Sequence, residues 1–324
     1  MQSLRKLLVF SVLAVFLTGF TCAIAADGPP KAVDRTLAGD AVCTKCHDET
    51  WPKPILSIYQ TPHGTKADER TPGCQTCHGA SEGHLKNPGT EPDMVFETKS
   101  KDATPSEAQN AVCMTCHQKD SKRSHWAGSS HDTKGVSCAS CHEVHSGHDK
   151  VRDKRTQFEV CFTCHKDKRA EVNRPSHHPV LEGKVACSDC HNPHGSAGTS
   201  NLKRDNVRDT CFQCHAEKRG PFVHNHQPAT EACTICHNPH GTVVESMLKV
   251  RPPFLCHQCH TPHGGFIPQI IGAQVTGNKP TTANGIGKGN TNLTQGRGCL
   301  NCHTEVHGSN NPSATNPTPQ FMLR

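Results

Sequence analysis

Cys187-Ser188-Asp189-Cys190-His191-Asn192-Pro193-His194-Gly195 is the stretch from which the rest of this chain can be read. Two cysteines three residues apart share one face of a helical turn. The histidine directly behind them can turn its ring beneath whatever both sulfurs hold. The same Cys-x-x-Cys-His pattern begins at Cys43, Cys74, Cys113, Cys138, Cys161, Cys187, Cys211, Cys233, Cys256 and Cys299. Zinc knuckles and disulfide frameworks also use cysteine pairs, but neither requires a histidine behind every pair. A histidine behind all ten is the signature of covalent c-type haem attachment. The expected haem-bonding thiols are therefore Cys43 and Cys46, Cys74 and Cys77, Cys113 and Cys116, Cys138 and Cys141, Cys161 and Cys164, Cys187 and Cys190, Cys211 and Cys214, Cys233 and Cys236, Cys256 and Cys259, and Cys299 and Cys302. The proximal iron ligands follow as His47, His78, His117, His142, His165, His191, His215, His237, His260 and His303.

Of 21 cysteines, Cys22 alone lies outside these motifs. It sits in what reads as an export signal over residues 1–25. Arg5 and Lys6 form a basic start, Leu7 to Phe20 an apolar run, and Ala23-Ile24-Ala25 a small-residue cleavage site. The run is shorter than the roughly 20 apolar residues that span a bilayer, so a retained membrane helix is not expected. A lipid anchor on Cys22 is the alternative, against which the preceding Phe20 and Thr21 speak. Export also suits covalent haem attachment, which is completed outside the cytoplasm. The mature domain is then 26–324.

Aromatic residues make up 4% of the chain and hydrophobic residues 33%. A domain of this length ordinarily buries about 75% of its unfolded surface. Here porphyrin must supply most of what is buried. The expected fold is a multihaem cytochrome c: mostly coil, short α-helices at the motifs, an elongated wire organised by its haems, and essentially no β-sheet. The haem-free chain is expected to be unfolded. Ile267 to Gly298 and Gly308 to Arg324 carry no motif and are rich in glycine, asparagine, threonine and proline. They read as a flexible loop (267–298) and tail (308–324), placed to dock a partner. Gly285-Ile286-Gly287-Lys288-Gly289 lacks the Ser or Thr that follows the lysine of a phosphate loop.

The function of each iron depends on its second axial ligand. Methionine occurs only at Met1, Met94, Met114, Met247 and Met322, too few for ten irons. The histidines outside the motifs are His63, His84, His125, His131, His145, His148, His177, His178, His194, His224, His226, His240, His257, His263 and His307. They repeat with the motifs in five two-haem units beginning near residues 43, 113, 161, 211 and 256. In the first four units a histidine precedes the second motif (His63, His131, His178, His226) and another follows it (His84, His145, His194, His240). The fifth unit offers His263 and His307. These ten are the distal candidates, with His125, His148, His177, His224 and His257 in reserve. His177 and His178 could exchange roles, and His257 stands as an added candidate beside His263.

Chain reach restricts the pairing. Histidines on opposite faces of one haem need α-carbons roughly 12 Å apart, while three residues span at most about 11 Å. So His145, His194, His240 and His263, each three residues past a motif histidine, must serve a different iron from the one beside them. The chain is expected to cross-stitch neighbouring haems.

The stretches CASCHEVH (138–145), CSDCHNPHG (187–195), CHAEKRGP (214–221), CHNPHG (236–241) and GCLNCHTEVHGSN (298–310) resemble the MtrA-type, DmsE-related periplasmic decahaem cytochromes. The resemblance covers nearly the whole mature chain and implies bis-histidine ligation of every iron. It also implies a wire held inside an outer-membrane β-barrel porin, passing electrons between periplasmic redox carriers and a cell-surface multihaem cytochrome. The dimensions agree: ten rings at roughly 10 Å each reach on the order of 100 Å, beyond the 40–45 Å of a bilayer. After the signal there is no long apolar run and no alternation of barrel strands, so crossing requires a sheath from a partner.

Six-coordinate irons are closed to substrate, and no motif replaces its histidine with lysine. The chain therefore reads as an electron carrier with no catalytic residues, not as an enzyme. The alternatives are a soluble periplasmic carrier, a haem-based reductase and a polymerising extracellular cytochrome. The formal charge of +6 includes Arg5 and Lys6 of the signal. Twenty propionates and ten ferric centres bring the holoprotein to roughly −6 oxidised and −16 reduced. Nucleic acid is therefore not an expected partner. The basic runs Lys166 to Arg169 and Lys218-Arg219 read as propionate counter-ions or solvated loops.

Overall fold

The computed structural model describes residues 37–48, 50, 54–65, 71–97, 100–260, 299–301 and 303–310. The expected export signal, Cys302, His263, the loop 267–298 and the tail beyond 310 lie outside the described residues. Within them the fold begins at the motifs. One turn of helix carries the first cysteine of each, as α-helix in Ala41–Thr44, Cys74–His78, Ser106–His117, Gln157–Cys161, Cys187–Cys190, Val207–Cys211 and Phe254–His257. At Cys138–Ser140, Cys233–Ile235 and Cys299–Asn301 the turn is the tighter 3-10 form. The motif histidine closes the turn by donating its backbone N–H to the first cysteine's carbonyl, at 3.0 Å for His191 and Cys187 and 2.9 Å for His142 and Cys138. Ser106–His117, at 12 residues, is the longest α-helix among the described residues.

Little apolar matter is buried. The buried hydrophobic side chains among the described residues are Val172, Val180, Ala186 and Val244. Buried polar side chains take over as struts, each kept inside by its hydrogen bonds. Asp40 accepts from the backbone N–H of Cys74 at 2.7 Å and from the Tyr59 hydroxyl at 3.0 Å. Asn110 accepts from the N–H of Cys138 at 2.8 Å and donates to the Val136 carbonyl at 3.1 Å. Gln157 accepts from the N–H of Ser188 at 2.9 Å and donates to the Val151 carbonyl at 2.7 Å. All three stand about one helical turn ahead of the first motif of a unit and hold the start of its second motif, so two attachment sites become one rigid body.

The sequence repeat is a structural repeat. After the sixth and eighth motifs the chain makes the same excursion. Lys203 donates its backbone N–H to Cys190 at 2.8 Å, and Lys249 does so to Cys236 at 2.9 Å. Both excursions turn on two consecutive residues in the left-handed region, Ser200 (φ 53°) and Asn201 (55°) in one, Ser246 (59°) and Met247 (55°) in the other.

A two-stranded antiparallel sheet joins β1 (His224–Asn225) to β2 (Gly308–Ser309), with His224 opposite Ser309. The first two residues of the expected tail are thus strand-paired. Gly308 has φ 148°, and a β-carbon there would stand 2.3 Å from the Phe222 ring, so only glycine lets β2 lie this close. Ser309 is fully buried. Otherwise the architecture is short helices and coil, as expected. No helix among the described residues is long and apolar enough to cross a membrane.

Candidate haem sites

Each proximal histidine sits at the end of its motif turn, where the preceding carbonyls fix its backbone and leave the ring free to face away from the helix. The structure places a distal candidate opposite nine of them. His47 faces His84 with ring centres 5.9 Å apart, His78 faces His145 at 6.1 Å, and His117 faces His63 at 6.0 Å. His142 faces His194 at 6.1 Å, His165 faces His131 at 6.2 Å, and His191 faces His240 at 6.1 Å. His215 faces His178 at 6.2 Å, His237 faces His307 at 6.1 Å, and His260 faces His226 at 5.9 Å. A metal held by two imidazole nitrogens at about 2 Å each sets ring centres about 6 Å apart, so this spacing fits a bis-histidine iron between every pair. The tenth motif histidine, His303, is described, but its candidate His263 is not.

The pairing is reciprocal between units. The first unit's His63 reaches the third motif, and the second unit's His145 reaches back to the second motif. His131 with His194, His178 with His240, and His226 with His307 repeat the exchange along the chain. Among the described pairs, only His84 faces a motif of its own unit, at the chain's beginning.

What orients these rings was not visible in the motifs. Ring Nδ1 donates to backbone carbonyls: His131 to Pro193 at 2.7 Å, His178 to Pro239 at 2.7 Å, and His226 to Val306 at 2.7 Å. Each acceptor is the residue just ahead of another distal candidate, so one short loop supplies a ring to one site and a carbonyl to the next. His78 likewise donates to Met94 at 2.9 Å, His84 to Thr90 at 2.6 Å, and His145 to Ile55 at 3.1 Å. Such bonds fix which nitrogen is free for the metal. In Asn192-Pro193-His194-Gly195 the asparagine side-chain Oδ1 accepts the N–H of His194 at 3.2 Å, and Asn238 Oδ1 does the same for His240.

Burial favours neutral, coordinating imidazole. Desolvation pushes His63, His78, His145, His240 and His307 below the ordinary histidine range, and pushes His194 down to about 4.

The thiols report which sites are neighbours. Within each unit the first cysteines of the two motifs lie side by side: Cys43 with Cys74, Cys113 with Cys138, Cys161 with Cys187, Cys211 with Cys233, and Cys256 with Cys299. Between units the second cysteines come near one another: Cys77 to Cys116, Cys141 to Cys164, Cys190 to Cys214, and Cys236 to Cys259. Every motif thus neighbours the next, in sequence order.

Of the reserve histidines, His177 lies against the Arg174 carbonyl and 3.4 Å from Glu182, and His148 lies 3.6 Å from Asp153. Neither faces a motif histidine among the described ring contacts. Beside the His63–His117 pair is a cavity of about 320 Å³ lined in part by Arg152, Asp149 and His148.

Comparison with known proteins gives the same picture. A family model described as cytochrome c-type protein NrfB-like matches residues 74–157, and one for a doubled CXXCH motif matches 177–220 and 226–265. The chain is 44% identical over 275 residues to the multiheme cytochrome MtrA of Shewanella baltica, covering 84% of this chain and 78% of that protein. It is 30% identical over 198 residues to the cytochrome c-type protein NrfB of Escherichia coli O6:H1, covering 56% of this chain and 98% of the relative. With NrfB of Haemophilus influenzae it shares 33% identity over 117 residues, 32% of this chain and 50% of that one.

Proposed function

Because this chain belongs to the MtrA family of multihaem cytochromes, which bind haem c and transfer electrons, we propose that it is a decahaem conduit through an outer-membrane porin. Each motif's two cysteines hold one haem by thioether bonds, and its histidine is the proximal ligand. The distal ligands are His84, His145, His63, His194, His131, His240, His178, His307, His226 and His263, for the first to the tenth motif in turn. When bound, the haem irons supply one-electron redox chemistry. The chain's own histidines would hold each iron from both sides, which would keep substrate out and make the protein a carrier.

The observation that carries this reading is the set of nine histidine pairs at 5.9 to 6.2 Å. Its companion is the unbroken succession of neighbouring motifs, since tunnelling rates fall exponentially with gap and a relay needs every gap short. A row of ten sites, exported and long enough to pass a bilayer, with a charged coil-rich surface that cannot face lipid, calls for a barrel sheath. Periplasmic redox carriers would load one end and a cell-surface multihaem cytochrome would discharge the other.

Intact-mass measurement of the exported protein is expected to find ten haems on a chain that begins near residue 26. Its ferric spectrum is expected to be low-spin throughout. Gentle detergent extraction is expected to bring a β-barrel protein with it, and liposomes holding a redox dye are expected to be reduced only when that protein is present. Fewer haems, or high-spin irons, would sink the decahaem reading. A ten-haem protein recovered free of any barrel would leave a soluble periplasmic carrier.

A further inference from the structure

Three of the second-motif histidines are oriented alike, and a fourth differs. His78, His191 and His237 donate Nδ1 to the backbone carbonyls of Met94, Ser200 and Ser246, at 2.9, 2.9 and 2.8 Å. His142 donates instead to the carboxylate of Asp149, at 2.8 Å. The Asp149 side chain is 17% exposed, its other oxygen accepts the N–H of Glu143 at 3.4 Å, and its ion-pair partner among the described residues is His142. Glu171 approaches the distal candidate His240 at 3.3 Å, but it also holds the Lys168 ammonium at 3.2 Å, which offsets its charge. Asp149 is a largely buried carboxylate with no Lys or Arg ion pair among the described residues, although Arg152 lines the same cavity.

We infer that Asp149 tunes the iron of the fourth motif, making it a low-potential step inside the row of haems. The inference rests on the bis-histidine reading above. A carbonyl offers the Nδ1 proton a dipole, whereas a carboxylate offers a full charge in a poorly hydrated place. The proton is drawn toward Asp149, the His142 ring gains imidazolate character, and it donates more strongly to the ferric than to the ferrous iron. His142 keeps its proton while one electron passes from a ferrous neighbour, which becomes ferric, to the iron it ligates, which becomes ferrous. No bond is made or broken. Charge-assisted hydrogen bonds are roughly twice as strong as neutral ones, so the ferrous-to-ferric ratio at fixed potential should be about tenfold lower than with a carbonyl acceptor, about 59 mV for one electron. Electrons would cross the fourth position and not rest there.

The ring planes provide a readout. They lie 10° apart for His142 and His194, 12° for His191 and His240, and 14° for His237 and His307. They are 72° apart for His78 and His145 and 62° for His63 and His117. Near-parallel imidazoles split the iron orbitals more than crossed ones, so the first group gives rhombic electron paramagnetic resonance signals and the second gives highly anisotropic ones. Stepwise reduction of the ten-haem protein, followed by this spectrum, is expected to show one rhombic signal disappearing last among its group. In Asp149→Asn that signal should be reduced at a potential higher by the tenfold ratio, with the other nine unmoved. Asp149→Glu should restore much of the difference. If the rhombic signals of the unaltered protein are reduced together, the inference fails whether or not the variants assemble. It fails equally if Asp149→Asn moves no signal or moves all of them alike. New high-spin signals or missing haems in the unaltered protein would instead overturn the ligation reading on which it rests.

Discussion

At the scale of single residues, the neighbours His177 and His178 show how little separates a ligand from a bystander. Both lie in the same extended stretch, yet His178 faces His215 at 6.2 Å, while His177 points back to the Arg174 carbonyl. The carbonyl of Pro239 decides between them by accepting from His178 Nδ1. His178→Ala is therefore expected to give one high-spin iron in an otherwise low-spin ten-haem protein. His177→Ala should leave the spectrum unchanged, and the reverse outcome in optical or paramagnetic resonance spectra would reassign the ligand. Gly241, directly behind His240, is a second such position. Its φ is 142°, and a β-carbon there would meet the Glu171 carbonyl at 2.3 Å and the His177 side chain at 3.0 Å. Gly241→Ala should displace the His240 loop at a cost of about 1–3 kcal/mol, seen as a lower unfolding midpoint and partial loss of low-spin character at one iron. The repeat of a histidine ahead of and behind each second motif named His178 and His240 in advance; the carbonyls and carboxylates that aim them have no sequence pattern, because a backbone acceptor can come from any residue.

At the scale of elements, the working part is a pair of motif turns joined by a polar strut. Asp40, Asn110 and Gln157 are different side chains in the same place, one turn ahead of a first motif and bonded to the backbone of the second. The sequence shows the pairing of motifs, but not what clamps them, since any side chain with a suitable acceptor serves. Asn110→Ala leaves the Cys138 N–H and the Val136 carbonyl without their partner, and a buried polar group so stripped costs about 1–3 kcal/mol. Chemical denaturation of the holoprotein should register that loss while haem content stays at ten. An unchanged midpoint would mean that the haems alone hold the unit. The small sheet is another clamp: β2 carries Val306 and His307 into place beside the eighth and ninth motifs, donating one ring and accepting from another.

For the whole molecule the governing fact is how little apolar side chain is buried. The four buried hydrophobic residues among the described residues are far fewer than a chain of this length needs, so the fold depends on what the motifs hold. Removing the haems is expected to abolish cooperative thermal unfolding, which calorimetry or circular dichroism of the haem-free chain can check. Acid should act in the same direction. Burial holds His63, His78, His145, His240 and His307 below their ordinary range and His194 at about 4, so between about pH 6.5 and 4 the unfolded chain binds more protons than the folded one. Stability must then fall as pH drops through that window. Unfolding midpoints that stay level from pH 7 to 5 would contradict it.

Ten repeats of one five-residue pattern determined the cofactor class and set the expected attachment sites, proximal histidines and two-motif units, because covalent attachment demands fixed residues at fixed spacing on one helical turn. Reach along the chain went one step further, requiring local histidines to serve a neighbouring site. The tertiary structure alone decided the partners: which distant ring faces which, that every motif neighbours the next in order, that β2 fastens the start of the tail, and that His142 leans on a carboxylate where His78, His191 and His237 lean on carbonyls. Those are contacts between residues tens of positions apart, set by loop geometry and shared hydrogen bonds that many sequences could supply, and so no local pattern records them.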